Sequence, residues 1–229
     1  MNLNPQTIDV LNNYQQINSN VALGEPGYVR TMSVSKTLMA KTDIPDQFPY
    51  EFGIYDLGEF LACISMFDNP TLAFDPDKKF CNITDGITSF KYFFSDKEIL
   101  TVPTKDIELE CGDVGFTLTH DELNRLRKAS ATLKTNQLSV RKSSTGSHFI
   151  ECVIEDKSNP TSNQFTLNIS NCSINTTAEF DFVFDMNNFK FVNADSYEFG
   201  IDKKQVALIK AGNTDYWVAL DKTTTFKES

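Results

Sequence analysis

The sequence predicts an α+β fold made of two tandem copies of one module. Three observations carry this. The first is internal repetition in constant order. Thr7-x-Asp9-x-Leu11-Asn12 returns as Thr119-x-Asp121-x-Leu123-Asn124. Tyr55-Asp56-Leu57-x-x-Phe60 returns as Phe184-Asp185-Met186-x-x-Phe189, and Phe74-x-x-Asp77-Lys78-Lys79 as Phe199-x-x-Asp202-Lys203-Lys204. The second is length: 229 residues suit two domains of roughly 110 residues each. The third is composition, with 19 Phe among 40% hydrophobic residues, which favours aromatic packing on pleated surfaces.

Each copy opens on a helix. Pro5 suits a first helical turn and Asp9 the positive end of its dipole, and Val10, Leu11, Tyr14 and Ile17 fall on one face. In the second copy Thr119 is the expected N-cap, with Glu122 at the capping-box position. Leu123, Leu126, Ser130 and Leu133 form its buried stripe. A second short helix follows a strand in each copy, started by Asp56 and by Asp185 as N-caps. Phe60, Leu61, Ile64 and Phe67 give the first of these its apolar face; the second is shorter, with Phe189 and Val192.

The remainder reads as strands in antiparallel sheets. In the first copy the runs are Val29 to Met39, Phe52 to Tyr55, Leu72 to Phe74, Phe80 to Ile83 and Ser89 to Phe94. In the second they are Gln137 to Arg141, Phe149 to Ile154, Gln164 to Ile169, Phe180 to Phe184, Tyr197 to Ile201, Val206 to Lys210 and Tyr216 to Leu220. Asp85-Gly86 and Gly212-Asn213 are hairpin signals at matching places. The expected domains are residues 1–95 and 113–229, joined by an extended connector over 96–112.

The chain offers little for catalysis. It has two histidines, His120 beside a helix cap and His148 in a hairpin, both expected on the surface. The sequence has no P-loop, GxSxG, HxxxH or dinucleotide glycine pattern. Asp75-Pro76-Asp77 pairs two carboxylates in a turn, but its repeat partner Gly200-Ile201-Asp202 lacks the first acid. No catalytic residue, metal site or cofactor is expected, and the protein is expected not to be an enzyme. Cys63, Cys81, Cys111, Cys152 and Cys172 are odd in number without a CxxC pair, so they read as buried free thiols. The N-terminus lacks the pattern of a signal peptide, and no apolar run is long enough to span a membrane.

Net charge is −10, from 21 Lys and Arg against 31 Asp and Glu. Such a balance disfavours a nucleic-acid binder unless the cations are gathered in one place. Here they are gathered. On a helical wheel, the face of the second-copy helix opposite its leucines centres on Lys128, with Asn124 and Arg125 beside it and Arg127 at the margin. Lys134 follows near the helix end, and Lys190 adds a cation from the second short helix. The matching face in the first copy carries Asp9, Asn12, Asn13 and Gln16. The pattern suits either an ordinary solvated helix face or a surface for a polyanion.

Ile54-Tyr55-Asp56-Leu57-x-x-Phe60-Leu61, Tyr216-x-Val218-Ala219-Leu220 and Leu11 through Ile17-Asn18-Ser19 resemble stretches of the DNA polymerase sliding clamps of T-even-like bacteriophages. The connector followed by an acid-capped helix is similar too, and the likeness runs from about residue 3 to residue 226. The resemblance implies two tandem DNA-clamp domains, with two helices per domain inside and antiparallel sheets outside, three subunits forming a ring. Its partners are then double-stranded DNA without sequence preference, the replicative DNA polymerase, an ATP-driven clamp loader and the chain itself. Its place is the cytoplasm of an infected bacterial host. Carried over by position, Arg125, Arg127, Lys128 and Lys190 face DNA, as do Asn12 and Gln16, where a basic residue is expected in relatives. The resemblance also implies a pocket near the connector for partner peptides, with Tyr92, Phe94, Ile99, Leu100, Val102 and Pro103 as candidates. Two rivals remain at this point: a viral structural or capsid-associated ring without DNA binding, and, more remotely, a small-molecule enzyme.

Overall fold

The computed structural model describes all residues except 25–26, 105–111, 144–148, 160, 204 and 229. His148, Cys111, Lys204 and most of the far half of the expected connector therefore lie outside the described residues. The chain divides into two compact units, Met1–Asp106 and Ile107–Ser229.

In unit 1, α1 (Pro5–Ile17) starts from Asn4, whose side chain accepts the Gln6 N–H. Thr7, Val10, Leu11, Tyr14 and Ile17 are buried, so the apolar stripe falls where its spacing requires. Asp9 lies beyond the first turn. Asn13, expected on the solvent face, is buried as well. Strands β1 (Val21–Leu23), β2 (Tyr28–Met32), β3 (Leu38–Asp43) and β4 (Phe52–Ile54) come after it. The expected single strand from Val29 to Met39 is a hairpin. Ser33 breaks it: its hydroxyl accepts the N–H groups of Thr37 and Leu38, and Lys36 adopts φ +58°. Next come α2 (Leu57–Ser65), capped by Asp56, and β5 (Thr71–Phe74), β6 (Phe80–Thr84) and β7 (Ser89–Phe93). Phe67 lies past the end of α2 and is half-buried. The strands pair in the orders β3-β2-β1-β4 and β5-β6-β7, all antiparallel.

Unit 2 begins with β8 (Val114–Thr119) and α3 (His120–Leu133), then β9 (Gln137–Lys142), β10 (Ile150–Ile154), β11 (Phe165–Ile169), β12 (Cys172–Ile174) and β13 (Glu179–Asp185). It closes with β14 (Ser196–Ile201), β15 (Val206–Ala211), β16 (Thr214–Ala219) and β17 (Thr225–Lys227). The orders are β11-β10-β9-β13-β17 and β12-β8-β14-β15-β16. The second expected short helix is a single 3-10 turn, Met186–Asn188, capped by Asp185. It ends at once because Phe189 turns inward, to 4% exposure, among Phe184, Phe191 and Phe199.

Duplication is written in strand order. Helix α1 precedes β1 to β4 as α3 precedes β9 to β13, and β3-β2-β1-β4 repeats as β11-β10-β9-β13. The β5-β6-β7 meander repeats as β14-β15-β16. In unit 1 the Met1 backbone bonds Leu72 on β5 in both directions, where unit 2 has β8 beside β14. The chain then returns to β4 through Ser95 as it returns to β13 through β17.

The three repeated motifs fare differently. Asp56 and Asp185 are equivalent caps, followed by buried Leu57 and Met186 and by buried Phe60 and Phe189. Phe74 and Phe199 each lead into a hairpin, with Lys78 and Lys79 between β5 and β6 and Lys203 after β14. The Thr-x-Asp-x-Leu-Asn match is out of register: Thr119 is the N-cap of α3, whereas Thr7 is the third residue of α1 and fully buried. Similar helix starts one turn apart produce the same letters.

Cys63, Cys81 and Cys152 are buried free thiols, as expected, while Cys172 is half-buried. Burial pushes the Cys81 thiol up to about 12 and raises the other three. Asp75 is a turn residue: its carboxylate accepts the Lys79 N–H at 3.2 Å, and Asp77 is exposed. No helix among the described residues is long and apolar enough to cross a membrane.

Candidate nucleic-acid interface

Helix α3 is fixed at its start by a reciprocal cap. The Glu122 N–H donates to the Thr119 hydroxyl at 3.3 Å, and the Thr119 N–H donates to the Glu122 carboxylate at 2.8 Å. Leu123, Leu126, Ala129 and Ser130 are buried against the unit 2 sheets. Leu133, expected in that stripe, is half-exposed, and Ala129 takes a buried place instead. The helix ends on Lys134, which holds φ +54°.

Arg125 and Lys128 project from the exposed side of α3. Neither has an ion-pair partner among the described residues. Two cations at the unit 2 sheet differ: Arg141 on β9 bridges Glu151 and Glu155 at 3.6 and 3.4 Å, and Lys157, in the turn after β10, meets Asp181 at 2.6 Å. Charge at Arg141 and Lys157 is thus neutralised locally, while that of Arg125 and Lys128 is left facing solvent. A solvated surface cation of this kind suits phosphate, because such contacts position without reading sequence.

Arg127 belongs to a different arrangement. Its side chain is half-buried, with Nη2 donating to the Phe189 carbonyl at 2.8 Å and Nη1 3.5 Å from Asn124 Oδ1. Lys190, half-buried, follows directly. So the structure brings Arg127 and the Lys190 segment together but takes the Arg127 guanidinium out of the freely exposed set.

Below Arg125 and Lys128 lies an open hollow of about 580 Å³, lined also by Ala129, Thr132, Leu133, Gln164 and Phe165. This floor is not evident from the helix alone, since Phe165 arrives from β11. Its alternating, half-buried strand pattern is the one sequence signal that could have suggested it.

In unit 1, Asn12 and Gln16 are exposed on α1, and so is Asp9. Asn12 sits at the rim of a smaller hollow, about 310 Å³, whose walls include Ile8, Leu61, Ile64 and Phe67. The α1 surface of unit 1 therefore presents amides and the Asp9 carboxylate where α3 presents cations.

The connector candidates separate. Tyr92 is buried, stacked edge-on to Phe60 and donating its hydroxyl to the Asp56 carbonyl at 3.2 Å. Phe94 packs on Phe52 with ring centroids 4.3 Å apart. Tyr92 is spent in the unit 1 core, whereas Phe94 is only half-buried against it. Pro103 is buried, Leu100 and Val102 are half-buried, and Ile99 is 63% exposed.

His120 is half-buried and not on the open surface as expected; its ring lies 3.4 Å from the Tyr197 hydroxyl. Among the described residues no group of three or more His, Cys, Asp or Glu could hold a metal ion.

A family model described as gp45 sliding clamp, C terminal, matches residues 115–222. The sliding clamp of Vibrio phage KVP40 is 31% identical over 226 residues, spanning 96% of this chain and 99% of that one. The sliding clamp of Escherichia phage RB69 is 24% identical and spans 98% and 99%. The fold resembles Proliferating Cellular Nuclear Antigen from Entamoeba histolytica, with a TM-score of 0.68, 12% identity and 94% of each chain covered. With an identity of 31% sustained across nearly the whole of both chains, this protein belongs to the gp45 sliding clamp family.

Proposed function

We propose that this sliding clamp, a DNA polymerase processivity factor, closes as a ring of three copies around duplex DNA and slides on it through Arg125, Lys128 and Lys190. The observation that carries the reading is the exposed pair of cations, Arg125 and Lys128, on α3 of a chain whose net charge is −10. Acid elsewhere repels DNA, and a few labile phosphate contacts hold it without stopping movement. Asn12 and Gln16 of α1 face the same DNA through neutral amides, by water-bridged contacts.

Self-assembly uses sheet edges. Strands β7 and β11 each end a sheet, and β7 carries Phe93 at 65% exposure. An apolar strand edge of this kind favours addition of another strand. Polymerase and an ATP-driven loader engage the connector segment, where Ile99, Leu100, Val102 and Pro103 remain the candidates. The chain itself is non-catalytic and acts in the cytoplasm of the infected bacterial host. The rival reading, a structural ring without DNA binding, has no support among these relatives, which are named sliding clamps.

Light scattering together with a topology test decides the matter. A mass of three chains is expected, with the clamp retained on closed circular DNA after loading and lost from linear DNA. A stable monomer at micromolar concentration, or retention indifferent to DNA ends, overturns the ring.

A further inference from the structure

Arg127 differs from Arg125 and Lys128 in having its side chain committed to another element. Its Nη2 donates to the Phe189 carbonyl, 62 residues away in sequence, at 2.8 Å. That carbonyl belongs to a tight turn: Phe189 has φ −83° and ψ 56°, and the Lys190 N–H donates to the Asn188 carbonyl at 2.9 Å. The turn follows the 3-10 segment Met186–Asn188, which is held from its other end by the Asp185 cap. The Phe189 ring is anchored in the core, 5.6 Å from Phe184 and 5.9 Å from Phe199 between centroids. Its carbonyl is therefore presented in a defined place, and the peptide just before Lys190 is tied to α3.

We infer that Arg127 is a positioning residue for DNA contact: it fixes the Lys190 segment beside the cationic face of α3 and does not itself meet phosphate. This rests on the reading of α3 as the DNA-facing helix. The planar guanidinium suits the task, since its fork reaches the Phe189 carbonyl with one arm and approaches Asn124 with the other. A phosphate at Arg127 would have to displace that bond, whereas one at Arg125 or Lys128 displaces only water. The cations meeting DNA in each unit 2 are then Arg125, Lys128 and Lys190, with Arg127 setting the third.

Binding of the intact clamp to a short duplex, followed by fluorescence anisotropy over a low-salt series, tests this. Each phosphate contact contributes about 0.9 to the slope of log affinity against log salt. Lys190→Met is expected to reduce the slope by about that amount. Arg127→Met should reduce it equally, and the double variant no further, because both remove the same contact. Replacing Arg127 by citrulline, which is neutral but keeps an N–H₂ donor for the Phe189 carbonyl, should leave the slope unchanged. A citrulline variant that loses slope, an additive double variant, or an Arg127→Met clamp with undiminished slope overturns the inference. Should Arg127→Met fail to melt cooperatively, the citrulline arm decides alone. Unchanged affinity in Arg125→Met and Lys128→Met, measured alongside, would instead sink the assignment of α3 to DNA.

Discussion

Thr119 and Glu122 cap each other across the first turn of α3, backbone to side chain in both directions, at 2.8 and 3.3 Å. The same helix carries Arg125 and Lys128 one and two turns later. A local cap thus sets the start of the surface proposed to meet DNA. Thr119→Ala is expected to lower stability by about 1 kcal/mol, read as a shift in the denaturation midpoint. An unchanged midpoint would mean that β8 alone holds the helix start.

Charge reversal on α3 should weaken the grip on DNA without touching assembly. Arg125→Glu with Lys128→Glu is expected to shorten clamp residence on circular DNA while the light-scattering mass stays that of three chains. If residence and mass are both unaltered, the proposed inner face is wrong.

The α1 face, which lacks cations and exposes Asp9, invites a gain of function. Asn12→Lys with Gln16→Lys adds two exposed cations, which should raise duplex affinity at low salt. The salt slope should steepen by about 0.9 for each new lysine that meets a phosphate. A flat response would place α1 away from DNA.

Phe93 is exposed on the edge strand β7. Phe93→Asp puts a charge there, and the expected result is a shift of sedimentation toward monomer with the melting of each chain little changed. Undisturbed trimer mass would remove β7 from the interface.

Alkaline stability should register Cys81. The thiol is neutral in folded and unfolded chains below its ordinary value of 9. Above 9 the unfolded thiol ionises while the folded one, raised to about 12 by burial, stays protonated. Stability from this group is therefore present below pH 9 and lost as pH rises toward 12, by at most about 1.4 kcal/mol per pH unit. Cys81→Ala should flatten the decline of stability between pH 9 and 10, whatever its effect at pH 7. Denaturation curves at a series of pH values supply the comparison.

Much of the fold is legible along the chain because its signals are local. Caps at Asp56, Thr119 and Asp185 announce themselves by residue type and by their neighbours up to three positions later. The buried faces of α1 and α2 follow from periodicity. Short strands escape this reading: β1, β12 and β17 have three residues each, too few for alternation to register, and β8 follows the connector with only Asp113 between. The hairpin inside Val29 to Met39 is hidden because its turn uses Ser and Thr, which also suit strands, in place of Gly or Pro.

The sequence by itself determined the α+β class, the duplicated module, the capped helices and the gathering of cations on α3. All of these depend on residues close together in the chain, where spacing and hydrogen-bonding capacity already decide. Tertiary structure alone decided what each side chain is used for. Arg127 and Lys128 are neighbours of like charge, yet Arg127 meets a carbonyl supplied 62 residues later, and Lys128 has no such partner among the described residues. Tyr92 sits in the core because Phe60 and the Asp56 carbonyl are there to receive it. Such assignments need a partner from a distant part of the chain, and no local pattern encodes where that partner will arrive.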